Sequence, residues 1–223
     1  RANAKEIGLT RNFSIYDSDD SENVIKEILN EMKIDTKQIR PESIAHFIDT
    51  AKNEMISPEQ FGYHYSGYIE DIASEIYPEY QKRLLAQNSV DFSDLLYLTV
   101  KLLEENEVVR KKYQELYRYI LIDEYQDTNN AQYQFAKIIS DKHKNICVVG
   151  DDDQGIYAWR GANIKNIQSF EDDFDGVSVI KLEQNYRSTK NVIEAAVNVI
   201  KQNNSRVDKV LWTDNNEGEK ITI

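Results

Sequence analysis

Leu121-Ile-Asp-Glu-Tyr-Gln-Asp-Thr128 is the stretch that decides the fold. It completes the apolar run Tyr119-Ile-Leu-Ile122, which ends abruptly in acids. A short continuous apolar run bounded by polar residues reads as a strand buried on both faces. The pattern recurs downstream. Ile146-Cys-Val-Val149 runs into Gly150-Asp-Asp-Asp-Gln154, and the apolar run at 177–182 runs into Glu183-Gln-Asn-Tyr-Arg-Ser-Thr189. Helical patterns lie between these runs, at 131–139 and 164–170, and another follows at 191–200. Apolar strands alternating with helices predict an α/β fold with a parallel sheet covered on both faces. In such sheets ligands sit at the carboxyl ends of the strands, where all three polar segments fall.

The chain upstream reads as helical. Asp17 to Asp20 offer N-caps, and Val24, Ile25, Ile28, Leu29 and Met32 then form one apolar face. A second helix is expected from Pro41 through Ile44, Phe47, Ile48 and Ala51. A third starts near Tyr68 with Ile69, Ile72, Ala73 and Ile76, and Pro78 is expected to kink or restart it. These stripes read as core packing. Asp91-Phe-Ser-Asp-Leu-Leu96 opens a further amphipathic helix reaching past Leu103.

The 223 residues suffice for one large domain or two small ones, and 40% apolar residues can support a core. With 3 Pro and 8 Gly, there is little room for low-complexity linkers, and no internal repeat is found. No apolar run approaches a membrane span and no signal peptide is visible, so a soluble cytoplasmic protein without a membrane partner is expected. Cys147, the single cysteine, is expected in the core. His46, His64 and His143 lack ligand spacing, which argues against a His/Cys metal site. The net charge of −12 argues naively against nucleic acid, but fifteen acidic and five basic residues fall between Asp17 and Tyr80. The rest of the chain is near neutral, so a local basic groove remains open to it.

Each polar segment carries a chemistry and a plainer alternative. A carboxylate at Asp123 can hold Mg²⁺, usually through water, and Glu124 beside it can polarise an attacking water. Asp-Glu after a strand is also a common solvated turn or helix cap; the longer string Asp-Glu-Tyr-Gln-Asp-Thr favours the metal reading. Gly150 is read as permitting a tight turn, and Gln154 can sense a terminal phosphate. In Tyr157-Ala-Trp159-Arg160, aromatic rings beside a guanidinium suit stacking on single-stranded bases, or else a buried Trp with a structural Arg. Arg187 can stabilise charge on a transferring phosphoryl group and Tyr186 can stack on a purine. Alternatively Ser188 or Thr189 caps a helix and Arg187 makes a surface ion pair. The pairs Gly62/Gly67 and Gly150/Gly155 imitate a phosphate loop but lack its Lys-[ST], and no G-x-x-x-x-G-K-[ST] string occurs.

Taken together, LIDEYQDT, VVGDDDQGIYAWRGA and LEQNYRST resemble the motif set of the UvrD/PcrA/Rep group of superfamily-one DNA helicases, with PcrA-type members a close match. The likeness extends to Pro58-Glu-Gln-Phe61, Tyr80-Gln-Lys-Arg-Leu-Leu85 and Asp91-Phe-Ser-Asp-Leu95. It implies a partial RecA-like P-loop NTPase core with a largely α-helical insertion subdomain. Residues 1–14 would be the tail of the first core, 15–87 the insertion, 88–174 the continuation of the first core, and 175–223 the start of the second. The resemblance also implies ATP and Mg²⁺ as cofactors. Its partners would be single-stranded DNA, single/double-strand junctions and other repair or replication proteins, in a bacterial cytoplasm close to the nucleoid. Asp123 would serve Mg²⁺, Glu124 would be the base, Gln154 would couple the γ-phosphate to DNA, and Arg187 would contact that phosphate. Tyr186 would stack on adenine; Tyr157 and Trp159 would stack on DNA bases with Arg160 alongside. Ala158 and Gly155 depart from many relatives, which carry a basic or bulkier residue and Ser there. The acidic insertion argues against duplex contact through that region.

Three functions follow as expectations. The first is a piece of an ATP-dependent 3′→5′ helicase, inactive by itself for want of a phosphate loop. The second is a non-enzymatic single-strand-binding module. The third is the helicase subunit of a recombination nuclease complex. The joint presence of Asp123, Glu124 and Arg187 favours a motor over a simple binder.

Overall fold

A computed structural model describes residues 1–203 and 209–222. Strand β1 (Ser14–Ile15) pairs in parallel with β2 (Ser89–Val90), Ser14 facing Ser89. The chain between them is helical: α1 (Ser18–Glu31), α2 (Pro41–Asn53), α3 (Phe61–His64) and α4 (Tyr68–Ala86). Helices α5 (Phe92–Glu105) and α6 (Glu107–Leu116) then lead to β3 (Ile120–Ile122), α7 (Asn130–Ser140) and β4 (Ile146–Val148). Short helices α8 (Lys165–Gln168) and α9 (Phe170–Asp173) precede α10 (Lys190–Ile200). The α/β class holds, with helices dominating two short parallel strand pairs. Among the described residues, no helix is long and apolar enough to cross a membrane.

Local chemistry accounts for where these helices begin. Asp17 caps α1 by accepting the Asp20 N–H at 3.0 Å, and Asp91 caps α5 by accepting the Asp94 N–H at 2.8 Å. Pro41 occupies the first turn of α2, where its missing N–H has no helical partner to lose. The apolar stripes of α1, α2 and α4 meet in one core containing Ile25, Leu29, Ile44, Ile48, Ile76 and Leu84. Each such side chain, fully buried, contributes on the order of 1.5–3 kcal/mol. Met32 lies outside this stripe, because the helix ends at Glu31 and leaves it largely exposed.

Pro78 does not restart α4, which is one helix across it. Ile76, Tyr77, Tyr80, Gln81 and Leu84 are all buried around the proline. Packing on both sides thus outweighs the backbone hydrogen bond that a proline removes.

The helical region is fastened to α5 by a buried charge. Lys52, fully buried in α2, sits 2.5 Å from Asp91 and 2.8 Å from Asp94. Tyr80 donates to Asp91 at 2.9 Å, and the Gln81 amide donates to both Asp94 oxygens at 3.2 Å. Burial pushes the Asp94 carboxyl up from its ordinary value, against the pull of Lys52. The Asp91-Phe-Ser-Asp segment is therefore a docking point for the helical region as well as a helix start.

The sheet differs from the expected one. β3 and β4 pair in parallel, Ile120 facing Ile146 and Ile122 facing Val148. Only one face is covered: Ile122, Ile146 and Val148 pack on Tyr125, Tyr133, Phe170 and Phe174, and Ile120 packs on Leu103, Val109 and Ile139. The alternate residues Leu121 and Cys147 point the other way and are exposed. Cys147 is thus not a core residue. The third expected strand does not form: residues 177–182 belong to no strand among the described residues, with Ile180 and Leu182 exposed. A strand requires a neighbour's ladder, and here only Gln184 finds one, bridging in parallel to Trp212. The single helical pattern at 164–170 divides into α8 and α9.

Replacing Lys52 by Met would leave two carboxylates buried without their cation. We expect a loss of about 3–5 kcal/mol, read as a lowered midpoint in urea or thermal unfolding. An unchanged midpoint would show that the charge network does not hold the helical region.

Candidate functional site

The site begins where β3 and β4 end. Two bonds carry the ladder past the strands: the Val149 N–H donates to the Ile122 carbonyl at 2.8 Å, and the Tyr125 N–H donates to the Val149 carbonyl at 2.9 Å. Asp123-Glu124 and Gly150-Asp151 therefore leave the sheet side by side. Glu124 is in the left-handed region at φ 50°. For a residue with a side chain this is strained by about 1–3 kcal/mol, a strain found typically at functional positions. The Asp123 Oδ1 accepts the Glu124 N–H at 2.9 Å, and its Oδ2 has no hydrogen bond among the described residues. An exposed carboxylate with a free oxygen suits a hydrated Mg²⁺.

Gln126 joins the two strand ends. It is buried; its Oε1 accepts the Asp151 N–H at 3.0 Å and its Nε2 donates to the Glu124 carboxylate at 2.8 Å. Gly150 follows from that bridge. A Cβ there would meet the Gln126 Oε1 at 2.6 Å and the Ile167 Cδ1 at 2.7 Å. Its φ is not in the left-handed region, so close approach, rather than turn geometry, is what requires glycine.

The next residues form an acidic loop. The carboxylates of Asp151, Asp152 and Asp153 offer oxygens within 4.8 Å of one another. Lys209 lies among them, paired with Asp151 and 3.3 Å from both Asp152 and Asp153. Gln154 donates to the Asp151 Oδ2 at 2.7 Å. Burial opposes the charge on Asp151, but Lys209 and Gln154 outweigh it and hold the carboxyl below its ordinary value. Burial likewise opposes the Lys209 charge, and the aspartates overcome it and raise its pKa.

Tyr157, Trp159 and Arg160 form an exposed cluster on the turn that follows. The guanidinium lies 4.6 Å from the Trp159 ring centre and 5.5 Å from that of Tyr157. Trp159 is 70% exposed, which removes the alternative of a buried structural Trp. The turn is closed by Gly161, at φ 84°, and is tied back to the strand-end loop. The Asn163 N–H donates to the Thr128 carbonyl at 2.9 Å, and the buried Asn166 amide donates to the same carbonyl at 3.0 Å.

Asp123, Glu124 and Gln154 thus belong to one hydrogen-bonded network, with the Tyr157–Arg160 turn attached through Thr128. Tyr186 and Arg187 are not joined to it by their own side chains among the described residues. The Tyr186 hydroxyl donates to Gln184 at 2.7 Å, and Asn185 accepts the Arg187 and Ser188 N–H groups at 2.9 and 2.8 Å. Thr189 is the N-cap residue of α10 but makes no side-chain cap hydrogen bond, and the Asn185 side chain closes a turn ahead of the helix. A cavity of about 390 Å³, lined by Phe13, Val90, Leu98 and Tyr113 among others, includes none of the predicted site residues. Gln126, Asn166 and Lys209 are the residues that sequence reasoning missed. Gln126 stands within the Asp-Glu-Tyr-Gln-Asp-Thr string, whereas nothing in the sequence marks Lys209.

With this geometry in hand, comparison assigns the class. Residues 1–175 match the UvrD/REP helicase N-terminal domain and residues 180–223 the UvrD-like helicase C-terminal domain. The chain belongs to the UvrD-like helicase family. It is 50% identical over 222 residues to the ATP-dependent DNA helicase PcrA of Bacillus subtilis (strain 168), covering 100% of this chain and 30% of that protein. It is 45% identical over 221 residues to the PcrA of Staphylococcus aureus (strain COL), covering 99% of this chain and 30% of that protein. The PcrA of Leuconostoc citreum is 42% identical over 222 residues, with 100% and 30% covered. The chain therefore spans about 30% of the length of these relatives.

Gly150→Ala tests the bridge. The added methyl group must displace Gln126 or Ile167, and we expect about 1–3 kcal/mol of destabilisation in thermal unfolding. Unchanged stability would mean that the two strand ends are not held as closely as described.

Proposed function

We propose that this chain is part of an ATP-dependent 3′→5′ single-stranded DNA translocase and helicase acting in DNA repair or replication. The observation that carries this reading is the network joining Glu124 to Asp151 and Gln154 through Gln126, with the exposed Trp159 turn fastened to the same loop. A strand-end acid pair and a stacking surface that share one frame suit the coupling of hydrolysis to movement on DNA. On this reading residues 1–14 and 88–174 belong to a first RecA-like core, 15–87 are its helical insertion, and 175–223 begin a second core.

Mg²⁺-bound ATP would supply the phosphoryl group and the charge neutralisation at its β- and γ-phosphates. Asp123 would hold the metal's water shell, and Glu124 would take a proton from the attacking water. The left-handed backbone at Glu124 and its bond from Gln126 keep that carboxylate at a fixed distance from the strand end. Gln154 would contact the terminal phosphate on exchanging its bond to Asp151. Arg187 would meet the same phosphate from the second core, and Tyr186 would stack on the adenine. These last two roles require the C-terminal segment to move as a unit relative to β3 and β4. Tyr157 and Trp159 would stack on bases while Arg160 meets the backbone, each stacked base contributing on the order of 1–3 kcal/mol. The natural partner would be single-stranded DNA or a single/double-strand junction, met in the cytoplasm and near the nucleoid of a bacterium. No phosphate-loop string of the G-x-x-x-x-G-K-[ST] form stands in these 223 residues, so the isolated chain is proposed not to turn over ATP.

In the intact protein, Glu124→Gln should lower single-strand-stimulated ATP hydrolysis on the order of 10²–10⁴-fold, the usual contribution of a general base. Trp159→Ala should weaken binding to an oligo-dT strand by about 1–3 kcal/mol, measured by fluorescence anisotropy. Near-normal turnover by Glu124→Gln would remove the catalytic assignment, and unchanged affinity of Trp159→Ala would remove the stacking one.

A further inference from the structure

Lys209 stands apart from the residues discussed so far, because its contact crosses between the two matched domains. Residues 180–223 match the C-terminal domain, and the acidic loop 151–153 lies in the N-terminal one. The lysine side chain is only 15% exposed and reaches all three aspartates. A second contact between the same segments joins the Asn203 amide to Asp153 at 3.4 Å.

The backbone around Lys209 is fixed to the segment that carries Tyr186 and Arg187. The Val210 N–H donates to the Glu183 carboxylate at 2.8 Å. The Trp212 N–H donates to the Glu183 carbonyl at 3.0 Å, and the Asn185 N–H donates to the Trp212 carbonyl at 2.8 Å. On its other side, the lysine meets the carboxylate that holds Gln154. Asp151 accepts Lys209 on Oδ1 and the Gln154 amide on Oδ2, while its own N–H is taken by Gln126, which also holds Glu124. A path thus runs from Glu183 and Asn185 to the backbone at Val210 and Trp212, along the chain to Lys209, and by polar contacts through Asp151 to Gln154 and, by way of Gln126, to Glu124.

We infer that Lys209 is a positioning residue that couples the Tyr186–Arg187 segment of the C-terminal domain to Gln154 and Glu124 of the N-terminal domain. It does so without touching nucleotide. While the ammonium occupies the three-aspartate cage, it fixes the position of the Asp151 carboxylate and so of the Gln154 amide that donates to it. When the C-terminal segment moves, the ammonium carries the Asp151 carboxylate with it and so repositions Gln154. The inference rests on the ATPase reading above and adds to it a residue and a direction of control. Arginine keeps the charge and length but spreads its donors over a planar fork, so it should preserve the coupling in part.

The test uses the full-length protein containing this chain, assayed for ATP turnover with and without oligo-dT. Lys209→Met should lower the DNA-stimulated kcat about tenfold and leave the KM for ATP within about twofold, the pattern of a lost transition-state contribution. Lys209→Arg should recover half or more of the stimulation. Asp151→Asn should show the same kcat loss, and the double variant should be no worse than either single one, as expected for partners in a single interaction. If Lys209→Met does not fold, Asp151→Asn together with Lys209→Arg carries the same comparison. An unchanged kcat in Lys209→Met, or additive losses with Asp151→Asn, would overturn the inference. Failure of the underlying reading has a separate signature: absent turnover in the wild-type protein, or full turnover in Glu124→Gln.

Discussion

The Gln126 carboxamide is hydrogen-bonded at both ends inside the protein, its oxygen to the Asp151 N–H and its nitrogen to the Glu124 carboxylate. Leaving either end of a buried amide without a partner costs about 1–3 kcal/mol. This side chain adds a bridge to the two backbone bonds that carry the ladder past the β3 and β4 ends. Gly150 must lack a Cβ because that side chain passes over it, and Glu124 adopts a left-handed backbone beside it. Two acids and a glutamine from separate loops are thereby presented together, although the sheet between them has two strands among the described residues.

Behind this site stands the helical region, and its attachment is electrostatic as well as apolar. Lys52 is buried between the Asp91 and Asp94 carboxylates, which fixes α2 against the start of α5. The end of α2 then reaches the strand-end loop. The Asn129 amide donates to Asn53 at 2.8 Å, and the Asn130 amide donates to the Glu54 carbonyl at 2.9 Å. A displacement of the helical region is thus transmitted to the first turn of α7, immediately after Thr128, which anchors the stacking turn. The acidic excess between Asp17 and Tyr80 disfavours an anionic strand there, which agrees with the proposed role of the Tyr157–Arg160 cluster.

Much of this was legible in the sequence, and the failures have physical causes. α1, α2 and α5 were readable because a cap or first-turn proline coincides with the start of an apolar period. β3 and β4 were readable as short apolar runs ending in acids. Apolar character alone cannot say how many faces of a strand are covered, which is why Cys147 was wrongly expected in the core. The 177–182 run has strand composition, but strand structure is a property of two segments. α4 runs on through Pro78 instead of restarting there, because local propensity yields to buried neighbours. In the site, Asp123, Glu124, Gln154 and Trp159 stand in recognisable strings. Lys209 does not, because its role comes from a contact more than fifty residues away in sequence.

The most direct measurement is the steady-state ATP turnover of the full-length protein carrying Gln126→Leu, titrated with oligo-dT. Leucine keeps the bulk and removes both hydrogen bonds, so Glu124 and Asp151 lose their shared reference point. Because a misplacement of about 1 Å can cost on the order of a hundredfold in rate, we predict a loss of that size in DNA-stimulated turnover. Binding of oligo-dT through the Trp159 turn should persist. Wild-type turnover in Gln126→Leu would contradict the account, because the two strand ends would then work without the bridge that joins them.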